Sequence, residues 1–332
     1  DVPDYPEAPA SDAEREIKAR YDTIKGSAVN PVLREGNSDR RAAKAVKLFA
    51  QSNPNSKGSW SGDRMTHVAT MPGNDFYANE TSATLNAAQA GPAKITFTGV
   101  DGTETVLKDG VDLAEGTVVD ATFLSAAALR DFIKAQVAAT EAGVLFSVHL
   151  KATMMKVSDP IIFGHFVAVY LEDVFAKHAE AFDALGVNPN SGIGDLLAKV
   201  DTLPADQAAA IRADVDAALA AKPPMYMVNS DKGISNLHVP SDVIIDASMP
   251  AVIRAGGKGW GPDGAEADVK CCIPDRCYAP VYDETIAYFK ETGALDVPTA
   301  GAVQNVGLMA QKAEEYGSHP TTFEAPGDGT IR

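Results

Sequence analysis

The sequence predicts an α/β fold. Short apolar stretches with strand character, such as KITFTG (94–99), VLFSVHLKA (144–152) and VIIDA (243–247), alternate with Ala- and Leu-rich stretches of helical length at 166–184, 193–200 and 205–221. Two of the apolar stretches deliver an ionisable residue at or near their ends, Lys151 and Asp246, and open α/β sheets usually present functional side chains beyond the carboxyl ends of strands. A hydrophobic content of 45 % with 22 % charged residues is that of a globular protein. The length accommodates two domains or one large domain with an insertion.

Residues 1–25 are a polar, Pro-bearing lead-in that becomes helical at Asp12–Tyr21. Ser27–Arg41 (SAVNPVLREGNSDRR) then packs a hydroxyl, an amide and three guanidiniums into one short segment. Pro31 favours a first helical turn and Asn30 is a good N-cap. A short helix here would bring Ser27, Asn30 and Arg34 near one edge. Gly36 and Asn37 break it, and the chain turns back through Ser38 to Arg40. An amphipathic helix over Arg41–Ala50, a turn-rich loop at 51–64 and a short strand at Thr66–Met71 follow. Residues 94–125 carry strand signals with an Asp101-Gly102 turn. Ser125 can cap an Ala-rich helix running to about Glu141.

The stretch 151–165 (KATMMKVSDPIIFGH) follows no simple period and reads as a functional loop, with the methionine pair, Phe163 and His165 packing around it. Helix 166–184 reads as amphipathic. Pro223 and Pro224 end the helical run, and 225–261 reads as strand, turn and the apolar strand VIIDA with Asp246 at its end. Gly256–Gly261 (GGKGWG) matches neither phosphate-binding glycine motif and reads as a flexible loop. Two helices, 283–292 and 299–316, precede the end.

A net charge of −16 argues against nucleic acid and anionic membrane as partners. It also makes the cluster Arg34, Arg40, Arg41, Lys44 and Lys47, opposed only by Glu35 and Asp39, a natural place for a small polyanion. Helix starts favour negative charge, and guanidiniums grip carboxylates two bonds at a time. The alternative is a capped surface helix with solvated arginines. No apolar run reaches membrane-spanning length, and the acidic, Pro-rich start is unlike a signal peptide. Three closely spaced cysteines, Cys271, Cys272 and Cys277, form neither a disulfide framework nor a zinc pair. They read as reduced thiols of a cytoplasmic protein.

Two further positions carry chemistry or a plainer role. Partial burial and neighbouring cations favour the neutral amine that exchanges protons, the reading for Lys151; a strand-end lysine pointing into water is the alternative. A carboxylate at a buried strand end needs a cation or donors, and hard divalent ions use such oxygens. Asp246 is therefore a metal ligand or a cap on the turn into the helix at Pro250. Tyr316, late in a helix, reads by periodicity as an aromatic packing on the core.

The strings GSAVNPVLREGNSDRRAAKAVK, DFYANETSATL, PSDVIIDASMPAVIR and EEYGSHP resemble the monomeric NADP-dependent isocitrate dehydrogenases along nearly the whole chain. The resemblance implies an isocitrate/isopropylmalate dehydrogenase-like fold, a mixed sheet flanked by helices. Residues 1–38 would close a smaller domain and its hinge, and 39–332 would form the larger one. It implies oxidative decarboxylation of isocitrate, with Ser27, Asn30, Arg34 and Arg40 binding substrate, Lys151 acting at the hydroxyl and Tyr316 donating a proton. Asp246 would bind Mg²⁺ or Mn²⁺. Members are monomers and considerably longer, so further metal-binding aspartates and most NADP contacts are expected outside this chain, which by itself would turn over little; a complementing chain could supply the rest. A non-catalytic carboxylate-binding or scaffold module is the alternative. A relative acting on isopropylmalate or homoisocitrate is disfavoured by the arginine-rich string.

Overall fold

Side-chain alternation along three short strands builds the centre of the molecule. A computed structural model describes residues 6, 9–29, 48–49, 52–53, 58–151, 157–294 and 322–332. In it the strands run parallel in the order His67–Ala69, Glu266–Cys272, Leu145–Val148. A fourth strand, Lys258–Trp260, lies antiparallel against the start of Glu266–Cys272, so the sheet is mixed, as the family resemblance implied. Successive strand residues point to opposite faces, and the core divides accordingly. Phe146, Val148, Leu150 and Cys272 enter one apolar cluster. Leu145, Val269 and Cys271 enter the other.

Helices cover both faces. Ala126–Ala138, Ser158–Tyr170, Gly192–Val200 and Ala205–Ala220 bring Leu129, Phe163, Phe166, Leu196 and Ile211 to the first cluster. Ile245–Arg254 and Ala279–Thr292 bring Ile245, Met249, Val252, Ile286 and Phe289 to the second. Burying a side chain of this size contributes about 1.5–3 kcal/mol, so these two layers fix the helices that flank the sheet's edge. Away from them, Gly91–Gly99 pairs antiparallel with Glu104–Leu113 and with Gly329–Ile331. The expected turn at Asp101-Gly102 is present, with Gly102 at φ +82°. Ser125 caps its helix as expected, its Oγ accepting from the Ala128 N–H at 3.3 Å.

Several local expectations are corrected. VIIDA is not a strand: residues Pro240–Val243 form a 3₁₀ turn, Ile244 makes a single bridge to Leu150, and a helix begins at Ile245. A short apolar run does not distinguish a strand from a buried helix by period. The stretch expected as a loop through His165 becomes helix at Ser158–Tyr170, because Pro160 falls in the first turn, where its missing N–H costs nothing. That helix is buried on nearly every side, and it is followed by two short helices, Glu172–Lys177 and Ala179–Leu185, rather than one amphipathic rod. GGKGWG holds the strand Lys258–Trp260 rather than a flexible loop. The first helix runs from Asp12 to Val29, past the expected Tyr21. The expected helix at 299–316 and most of that at 41–50 lie outside the described residues, as does the domain boundary at 38.

Candidate active site

All three parallel strands end at one edge of the sheet, and each is followed there by polar residues. Leu145–Val148 continues into His149 and Lys151, Glu266–Cys272 into Asp275 and Arg276, and His67–Ala69 leads on to Asp75. The helix Ile245–Arg254 is tied beside this edge by backbone bonds. The Leu150 N–H donates to the Val243 carbonyl at 2.8 Å, and the Ile245 N–H donates to the Leu150 carbonyl at 2.6 Å. Its first turn therefore sits against the strand end, where an acidic residue is favoured by the helix dipole. Asp246 occupies that turn.

Lys151 and Asp246 meet here. The Lys151 Nζ donates to both carboxylate oxygens of Asp246, at 3.1 and 2.9 Å. The two partners differ in surroundings: the lysine side chain is 7 % exposed and the aspartate 51 %. The ammonium also lies 5.7 Å from the centre of the Tyr278 ring. Beside the lysine is a small cavity lined in part by His149, Asp159, Asp275 and Tyr278. The site is thus a buried cation facing a carboxylate that remains open to solvent.

A second charge pair stands across the same edge. Asp75 is fully buried and accepts from the Arg276 N–H at 2.9 Å, its Nε at 3.0 Å and its Nη2 at 2.8 Å, and from the Ala78 N–H at 3.1 Å. Burial alone would raise its pKa, but the Arg276 and backbone hydrogen bonds outweigh that and hold it below the usual carboxylate range. Asp275 shows the opposite balance. Burial pushes its carboxyl up, although the Cys277 and Tyr77 N–H groups donate to it.

Behind Lys151 lies a polar chain that the sequence reading missed. Ser147, His149 and Lys151 alternate with Phe146, Val148 and Leu150, so the polar members share the face covered by the helix Ile245–Arg254. Ser147 Oγ lies 2.9 Å from His149 Nε2, and His149 Nδ1 lies 2.7 Å from Ser248 Oγ. Burial pushes the His149 imidazole down to about 3, so it is neutral at ordinary pH. The alternating string FSVHLK was the available signal. Asp75 carried none beyond its place in DFYANETSATL, and Arg276 none at all, since their pairing spans 201 residues.

Of the sequence-predicted residues, the structure brings Lys151 and Asp246 together. It corrects the surroundings expected for each. Lys151 is buried and meets a carboxylate rather than pointing into water, and Asp246 stands at a helix start rather than a strand end. Ser27 lies within the helix Asp12–Val29 rather than at the start of a new one. Asn30, Arg34, Arg40 and Tyr316 lie outside the described residues. His165 sits on the helix Ser158–Tyr170, near the charges of Arg130 and Glu324.

Among the described residues no three His, Cys, Asp or Glu side chains converge to hold a metal ion. Asp246 nonetheless fits as a single hard-oxygen ligand, being half-open to solvent with both oxygens already facing a cation, the Lys151 ammonium. For a dinucleotide phosphate, Gly256–Gly261 offers no cradle: a Cβ on Gly257 would lie 2.9 Å from the Trp60 ring and one on Gly259 would lie 2.3 Å from the Tyr226 ring. Among the described residues no helix is long and apolar enough to cross a membrane.

The family model for monomeric isocitrate dehydrogenase matches residues 1–332. The chain is 55 % identical over 332 residues to the isocitrate dehydrogenase (NADP) of Azotobacter vinelandii, covering all of this chain and 44 % of that protein. It is 53 % identical over 329 residues to the isocitrate dehydrogenase (NADP) 2 of Mycobacterium tuberculosis, covering 99 % of this chain and 44 % of that one. With the isocitrate dehydrogenase (NADP) of Corynebacterium glutamicum it shares 53 % identity over 333 residues, covering 45 % of that protein. The chain thus spans less than half the length of the curated relatives it matches.

Proposed function

Because the chain belongs to the monomeric isocitrate dehydrogenase family, we propose that it carries the substrate half of an NADP-dependent isocitrate dehydrogenase site, acting in the cytoplasm. The reaction is oxidation of isocitrate at its hydroxyl carbon followed by loss of CO₂, giving 2-oxoglutarate. The single observation that supports this assignment best is the Lys151–Asp246 pair at the sheet's C-terminal edge. It joins a proton-exchanging group to a metal-binding one at the position where α/β sheets hold ligands. The names of the relatives support the enzyme, and nothing among them supports a non-catalytic module.

Each of the chain's residues then has a task. Arg34 and Arg40 clamp substrate carboxylates, and Ser27 and Asn30 add polar contacts. Holding the substrate in one orientation is worth on the order of 7 kcal/mol or more of the barrier. Lys151 handles the hydroxyl proton, which it can accept only as the neutral amine, and Tyr316 returns one to the carbon that loses CO₂. Asp246 would be one of the residues holding Mg²⁺ or Mn²⁺, which when bound would supply Lewis-acid polarisation of the substrate's oxygens. NADP, when bound, would supply the hydride acceptor. Residues up to about 38 belong to the smaller domain, so that the arginine-rich segment crosses the interdomain cleft.

Calorimetry with isocitrate and Mn²⁺, with and without NADP, tests the assignment. We expect metal-dependent isocitrate binding that Asp246→Asn and Arg34→Ala each weaken by about tenfold or more, a loss of the size seen for charged hydrogen bonds. Binding that ignores both substitutions would refute it.

A further inference from the structure

The chain of groups behind Lys151 has one consistent direction. Asn236 Nδ2 donates to the Val148 carbonyl at 3.1 Å, and a carbonyl can only accept, which fixes the amide's orientation. The same nitrogen donates to Ser147 Oγ at 2.9 Å, so the Ser147 hydroxyl proton is directed to His149 Nε2. His149 then carries its proton on Nδ1 and donates to Ser248 Oγ, and the Ser248 hydroxyl points to the Val243 carbonyl at 3.5 Å. Two carbonyls close the chain, one at each end. The reverse direction leaves the Ser147 proton without an acceptor in this chain.

This run of bonds crosses from the strand Leu145–Val148 to the helix Ile245–Arg254, and its His149–Ser248 bond joins two residues that each lie two positions from a member of the charge pair. His149 precedes Lys151 by two positions, and Ser248 follows Asp246 by two. Ser147, His149 and Asn236 are all at least 99 % buried. Both nitrogens of this buried, neutral imidazole are engaged, by Ser147 and Ser248, so neither is left to exchange protons in the reaction. What it can do is hold a distance. We propose that His149 is a positioning residue: clamped between Ser147 and Ser248, it sets the first turn of the helix against the strand end and thereby keeps Asp246 within reach of both Lys151 and a bound cation. The proposal rests on the assignment of Lys151 and Asp246 as site residues, and it extends that assignment to a side chain that touches neither ligand. Partners standing behind a metal ligand commonly change affinity by about 10- to 100-fold, and an indirect one of this kind belongs at the low end.

Ser248→Ala removes one hydrogen-bond acceptor and little volume. In that variant nitrogen-edited NMR should show His149 moving from the Nδ1–H to the Nε2–H tautomer. Hydrogen exchange of the Lys151 ammonium should quicken about tenfold and Mn²⁺–isocitrate affinity should fall about tenfold, and Ser248→Thr should restore all three. If Ser248→Ala does not fold, Ser147→Ala, which removes the proton aimed at Nε2 and leaves the Nδ1–H on Ser248, is read by the ammonium exchange and the affinity alone. A folded variant with an unchanged tautomer and unchanged ammonium exchange overturns the proposal. The ammonium measurement needs no ligand. Failure of the unsubstituted chain to bind isocitrate would therefore count against the functional assignment alone, while the exchange rates still decide the role of His149.

Discussion

The unequal exposure of Lys151 and Asp246 predicts that the two halves of one charge pair have different effects on stability. Asp246→Asn keeps the shape and removes the charge, leaving a 93 %-buried ammonium without its carboxylate, whereas Lys151→Met fills the same channel with an apolar chain and leaves a half-exposed carboxylate to water. Breaking a fully buried pair from one side costs about 3–5 kcal/mol. Solvent at Asp246 screens this one, so we expect about 1–2 kcal/mol for Asp246→Asn. For Lys151→Met we expect less than about 0.5 kcal/mol, because a buried charge replaced by an apolar group of similar volume is often tolerated. An unfolding entropy of ~2.1 cal/mol/K per residue over 332 residues corresponds to ~0.7 kcal/mol/K for the chain. Scanning calorimetry at pH 7 should then show Asp246→Asn lowering Tm by about 1.5–3 °C and Lys151→Met by less than about 1 °C. Both should weaken Mn²⁺-dependent isocitrate binding by about tenfold or more. A Lys151→Met variant as destabilised as Asp246→Asn would show that the burial asymmetry does not govern the pair.

The Asp75–Arg276 pair predicts acid sensitivity. The folded carboxyl is held below its unfolded value near 3.9, so its contribution is fully present above that value and is lost as pH falls through the lower, folded value. Melting curves from pH 7 to pH 2 should show Asp75→Asn less stable than the parent at pH 7, with a shallower decline below about pH 4; parallel curves would refute the linkage. Thiol chemistry gives an independent check of the sheet. Burial raises the pKa of Cys271 and Cys272, while Cys277 is exposed. In the native protein a thiol reagent should label Cys277 first, the other two only on unfolding, and early labelling of Cys271 or Cys272 would contradict their place in the core.

Residue identities alone were enough for much of this chain. The α/β class, the Ser125 cap, the Asp101-Gly102 turn and the helices at 192–200 and 205–220 all follow from short-range signals: period, turn chemistry and capping. Lys151 and Asp246 were also legible as candidates, through the apolar runs that precede them and the family resemblance. What those runs could not decide was Asp246's backbone. VIIDA fits strand or helix equally, and the choice fell to packing, because Ile245, Met249 and Val252 all find the same apolar cluster only on a helical spacing.

Tertiary structure also decided every partner. Lys151 meets a residue 95 positions away, Ser248 meets one 99 away and Asp75 one 201 away. A sequence records which side chains can donate or accept, and the alternation in FSVHLK records which of them share a face. It does not record which distant segment will cover that face. That is settled when the sheet and the helix Ile245–Arg254 bury their apolar sides together, since the same packing that hides Leu145, Met249 and Val269 brings Ser147, His149 and Lys151 within hydrogen-bonding distance of Asn236, Ser248 and Asp246.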